Sequence, residues 1–156
     1  VSAKVSAGDG RQENDVGVAS VGEFEAELLS AGRPLIDLGF VASGVEDRGH
    51  GVMKATLTRE PVSVVFWVDP RGELDAQVGR NFITGQGYYA ERFTLSDDPF
   101  AVRPPFTFGT RQGTSRARAL TLLVDFLLEN ATDALRGDDR AFERAEHWVK
   151  PGRHLP

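Results

Sequence analysis

Between residues 53 and 78 apolar and polar positions alternate with a period of two. Met53, Ala55 and Leu57 are interleaved with Lys54, Thr56 and Thr58, the pattern of a strand buried on one face. Val62, Val64, Phe66 and Val68 continue an inward face after a turn at Glu60-Pro61, while Val65 and Trp67 lie on the opposite face and suggest a central strand covered on both sides. Asp69-Pro70-Arg71-Gly72 carries the residues a type I turn prefers at its first, second and fourth positions. A third strand follows, with Leu74, Ala76 and Val78 inward and Glu73, Asp75 and Gln77 outward. Short turns join the three segments, so an antiparallel meander is expected. Asn81 to Thr84 reads as a possible short strand, Gly85 to Gly87 as a turn, and Tyr88 to Leu95 as a further strand with Tyr89, Phe93 and Leu95 alternating.

On either side of the meander the period lengthens to that of a helix. Ser20-Val21-Gly22-Glu23 fits a capping box, and Phe24, Leu28, Ala31, Leu35 and Leu38 then recur at helical spacing. Pro34 cannot donate to the preceding turn, which predicts a kink or break near residues 31–33. Gly39 and Phe40 form a helix-closing pair, and Val41 to Gly51 reads as a polar loop. Residues 96–113 form the longest expected loop of the structured region. Beyond it, Thr114 or Ser115 caps a helix running to about Leu135, with Leu120, Leu123, Val124, Leu127, Leu128, Ala131 and Leu135 along its apolar stripe. Gly137 closes it, Asp138 or Asp139 caps a last helix with Phe142, Ala145 and Val149 inward, and Pro151 ends that helix. The order helix, strands, helices predicts an α+β fold: an N-terminal helix, an antiparallel meander of about four to five strands, and two C-terminal helices on one face of the sheet. Residues 1–20 lack a period and read as a disordered tail, and residues 21–156 as one domain.

Composition narrows the function classes more than it names one. A chain of 156 residues accommodates a single core, and no apolar run approaches the ~18 residues of a membrane span. Without cysteine there is no disulfide, thiolate metal site or thiol nucleophile. No secretory signal is visible in residues 1–20, so a cytoplasmic location is expected. The net charge of −5 argues against a nucleic-acid binder and favours a basic or neutral partner. Fifteen arginines against three lysines fit either a GC-rich genome or selection for bidentate anion contacts.

Catalytic constellations are absent from the pattern. His50, His147 and His154 are dispersed, without metal-ligand spacing or an identifiable acid partner, and Ser63 and Ser115 lie in no nucleophile elbow. No cofactor or metal is called for. The stretch GTRQGTSRAR, residues 109–118, opens a helix with Arg111, Arg116 and Arg118, yet the spacing of Gly109 and Gly113 is one residue short of a phosphate-binding loop and its lysine is missing. Positions three and four beyond Arg116 and Arg118 are uncharged, so each arginine needs a counterion from elsewhere. Two readings stand: an anion or partner-carboxylate contact, or plain solvation and internal pairing with carboxylates such as Asp97, Asp98, Glu73 or Asp75. Trp67 is either core or, if the outer sheet face is open, an interface anchor beside Glu73 and Asp75.

The leading helix that ends in Leu38-Gly39-Phe40, the meander VSVVFWVDPRGELDAQVG and the C-terminal helices together resemble the small α+β immunity proteins of bacterial toxin systems, over about residues 22–136. That resemblance implies a non-catalytic protein that binds a cognate toxin, often through acidic residues when the toxin is a basic nuclease. The expected partner-binding residues are Glu73, Asp75 and Trp67. A secretion-chaperone-like protein is a variant of this class. The alternative from a different class is a small anion-ligand-binding domain or enzyme using the loop at residues 103–118.

Overall fold

The computed structural model describes residues 21–80, 87–94, 106–109 and 112–148. It is α+β, built on a six-stranded antiparallel sheet. Helix α1 covers residues 21–31, followed by α2 (Arg33–Asp37), β1 (Val41–Asp47), β2 (Met53–Arg59), β3 (Val62–Val68), β4 (Glu73–Arg80) and β5 (Gly87–Tyr89). A 3-10 turn (Ala90–Phe93), β6 (Phe106–Thr107), α3 (Arg116–Asn130), α4 (Thr132–Leu135) and α5 (Asp139–Glu146) complete the elements of the described residues. Strands β1 to β5 lie in sequence order, and β6 pairs with β4 beside β5.

The break expected near residues 31–33 falls at Gly32, and Pro34 occupies the start of α2, where its missing N–H costs nothing. Gly39 N–H bonds to the Ile36 carbonyl and Phe40 N–H to that of Leu35, closing α2 with a Schellman pair that drives Phe40 into the core. The break also resets the helical phase. Phe24, Leu28 and Leu35 are buried as expected, whereas Leu38 turns outward and is 45% exposed.

Val41 to Gly51, read as a loop, contains β1. Its pairing with β2 shifts between Ala42 and Val45, where Ser43 and Gly44 together oppose Thr56. This is a β-bulge, and Gly44 at φ +95° supplies the left-handed residue it needs. The fourth segment differs too: β5 ends at Tyr89 and the 3-10 turn follows. Tyr88, not Tyr89, faces inward with Phe93, their rings edge to face at 6.4 Å. The long C-terminal helix divides at Ala131, where the Asn130 amide donates to the Phe126 carbonyl and the Thr132 hydroxyl to that of Leu128. Such back-bonding side chains weaken helix continuity. Ser115 caps α3, Asp138 caps α5, and α5 finishes at Glu146. Ser20, Asn81 to Thr84, Leu95, Val149 and Pro151 lie outside the described residues.

One core forms between the inner sheet face and the helices. Leu57, Val64, Phe66, Leu74 and Val78 meet Phe24, Leu28, Leu120, Leu123 and Leu127 there. Phe142 of α5 packs on Phe93 at 5.7 Å, and Phe126 of α3 on Phe106 at 5.7 Å. Val65, buried on the opposite face, is not part of this cluster. The buried side chains of α1 to α5 all join the inner core, so among the described residues no helix covers the outer face.

Candidate functional site on the outer sheet face

Strand register assembles the outer face in transverse rows. Glu46, Lys54, Trp67 and Asp75 lie opposite one another across β1 to β4. The neighbouring row is Thr56, Val65, Gln77 and Tyr89, across β2 to β5. Glu73 shares the face of Asp75 at the start of β4 and pairs with Thr107. The three expected partner-binding residues, Glu73, Asp75 and Trp67, therefore occupy one surface. Trp67 is half-buried, and the ammonium of Lys54 lies 5.4 Å from its ring centroid. Tyr89 is 44% exposed.

Asp75 is the electrostatic centre of this face. Burial pushes its carboxyl up from an ordinary 3.8 to about 6. The Ala76 N–H, which donates to Asp75 Oδ1 at 2.8 Å, opposes that rise, and the charges of Glu91 and Glu73 add to it. Glu91 arrives from the 3-10 turn. That turn is anchored by Phe93 against Phe142 and by Arg92, which donates to the Ala145 carbonyl of α5 at 3.5 Å. Helix α5 thus helps to fix a carboxylate near Asp75. The contribution of Glu91 was not visible in the sequence, because the residue lies sixteen positions beyond Asp75 in a segment read as a continuing strand.

The arginine-rich helix entrance is arranged differently. Arg116 reaches α1 and clasps Glu27 in a fork, with Nε to Oε2 at 2.6 Å and Nη2 to Oε1 at 3.3 Å. Its guanidinium carbon also lies 5.3 Å from the Phe24 ring centroid, and both charged side chains are largely buried. The counterion is therefore Glu27, 89 residues away, rather than Glu73 or Asp75; Asp97 and Asp98 lie outside the described residues. Arg118 is exposed and forms no ion pair among the described residues; its backbone N–H takes the Ser115 cap. Arg111 lies outside the described residues.

His50 sits at the exposed tip of the β1–β2 turn with φ +55°, and His147 caps the end of α5. Among the described residues no group of three or more His, Asp or Glu side chains is arranged to hold a metal ion. No helix among them is long and apolar enough to cross a membrane. The chain matches no protein-family model, and comparison with curated proteins and with solved structures gives no match either.

Proposed function

We propose that this protein is a non-catalytic binding domain that docks a basic protein partner on the outer face of its sheet, in the manner of a toxin-neutralising immunity protein. The observation that carries this reading is the row that sets Trp67 beside Asp75, with Glu73, Glu91 and Tyr89 around them and no described helix above. A half-buried aromatic ring with acids on its β4 side and Lys54 on its β2 side offers a cationic surface an apolar contact with complementary charge along one rim. The acidic balance of the whole chain, −5, works in the same direction at longer range.

The alternative of an anion-ligand site at residues 103–118 is weakened by the engagement of Arg116 with Glu27, which already neutralises that guanidinium and leaves it only 15% exposed. The test of the docking reading is parallel affinity capture from the native cell with the wild type and a folded Trp67→Ala/Tyr89→Ala variant. Docking on this face predicts a stoichiometric partner on the wild type that the variant loses. Equal retention by both proteins, or no stoichiometric partner under several growth conditions, contradicts it.

A further inference from the structure

Strand β3 runs along the middle of the outer face, where Trp67 is flanked by Lys54 on β2 and Asp75 on β4. In the next row Val65 lies between two uncharged polar residues, Thr56 and Gln77. A cation therefore stands one strand to one side of the central line and a carboxylate one strand to the other, with neighbouring strands about 4.8 Å apart. Both are half-buried, and neither forms an ion pair among the described residues. Turning such a face over about an axis that runs along β3 exchanges its two sides. Lys54 of each copy then falls opposite Asp75 of the other, with the two Trp67 rings between the charge pairs. Turning it about an axis across the strands sets Lys54 against Lys54 and Asp75 against Asp75 instead. The sign pattern thus selects one two-fold arrangement and rejects the other.

We propose that a second copy of this chain docks on the outer face, in a two-fold dimer whose axis follows β3 and which pairs each Lys54 with the other copy's Asp75. This goes beyond the docking reading above and does not depend on its partner. Sheets packed face to face in this way keep their strands within about 30° of each other, so the rows stay in register near the axis. The flanking positions are compatible. Tyr89, two strands from β3 on one side, falls opposite the Ser43-Gly44 bulge two strands away on the other, a ring against a glycine. Glu73, two residues before Asp75, falls opposite Val52, two residues before Lys54, and meets no charge there. Glu46 arrives beside the acidic edge of β4, but Arg48 accompanies it, with Nη1 3.3 Å from Oε2. Strands β1 to β5, with seven residues at about 3.3 Å each, give a footprint of roughly 550 Å² per copy, below the ~800 Å² of a standard stable interface. The dimer is therefore a weak, exchangeable one, closed at high protein concentration and open to a basic partner at nanomolar concentration.

The test is sedimentation velocity of the whole chain at low salt, from about 1 µM to about 300 µM. The dimer predicts a sedimentation coefficient that rises with concentration in the wild type, and self-association weakened by about tenfold or more in Lys54→Glu and in Asp75→Lys, each of which sets like charges opposite each other. An equimolar mixture of the two variants regains the dimer. In the mixed pair the two substituted positions face each other with opposite signs, and the other two keep the native pair. A wild type that stays monomeric throughout, variants that associate as the wild type does, or a mixture of folded variants that stays monomeric each overturns the proposal. The Trp67 indole N–H gives a readout that needs no variant. Its NMR signal shifts on dilution of the wild type when this face is the interface, and an unmoved signal across the dissociation range overturns the proposal. None of these outcomes involves a captured partner, so its loss from the Trp67→Ala/Tyr89→Ala variant remains a separate test of the docking reading.

Discussion

Arg116 stands in the first turn of α3, where a positive charge opposes the helix dipole, yet its side chain is only 15% exposed because Glu27 receives it. Removing it by Arg116→Ala strands a largely buried carboxylate, and a loss of about 1–3 kcal/mol is expected in denaturant titration, with Lys restoring only part because it lacks the fork. An anion-ligand role would instead leave stability nearly unchanged. Asp75 behaves in the opposite sense. Its folded value of about 6 lies above its unfolded value of 3.8, so the folded state binds the extra proton and stability falls as pH rises through that interval. Above about pH 6 the charged group opposes folding, by on the order of 1–2 kcal/mol after allowance for its partial exposure. Asp75→Asn should therefore raise the melting temperature by roughly 3–6 °C at pH 7.5 and by almost nothing at pH 3.5. A gap that is the same at both values contradicts the assignment. The need of Arg116 for a distant counterion was legible from its uncharged i+3 and i+4 neighbours, but the identity of Glu27 was not. That partner is set by how α1 lies on the sheet, and no local spacing encodes it.

At the scale of elements, the strands that keep strict alternation, β2 to β4, follow their sequence pattern closely. Strand β1 escaped it because the Ser43-Gly44 bulge shifts the parity, so that Ala42 and Val45 both face inward despite their odd separation. The phase slip at Gly32 similarly hid the exposure of Leu38, since a single helical wheel cannot span a break. Glycine positions make the dependence on local geometry measurable. Gly72, at φ +86°, lies against the Phe108 backbone, whose N–H donates to the Gly72 carbonyl at 2.8 Å; an added β-carbon would run into the Phe108 carbonyl oxygen. Gly72→Ala is expected to destabilise by about 2 kcal/mol or more and to loosen β6 from β4, seen as faster amide exchange at Phe108. Gly22, in α1, has open space around its missing side chain, and Gly22→Ala should stabilise by about 0.5 kcal/mol. Similar losses at both positions would contradict this account of the turn.

For the molecule as a whole, the α+β architecture was legible because helical and strand periods segregate along the chain, and the packing of α3 on the inner sheet face follows from its broad stripe. The candidate site was legible in part. Alternation alone puts Glu73, Asp75 and Trp67 outward, but their assembly with Glu91 and Tyr89 depends on register and on a turn held by α5. The outcome is a sheet whose inner face carries the core and whose outer face sets Trp67 between Lys54 and Asp75, with Glu73 beside Asp75 on β4. The proposed function is to dock a basic partner on this outer face. Its most direct test is the association rate of the captured partner with the wild type and with Glu73→Lys/Asp75→Lys across a range of ionic strength. Docking on this face predicts that the charge-reversed variant associates at least tenfold more slowly at low salt and that the two rates converge as salt rises. An unchanged association rate at low salt would contradict it.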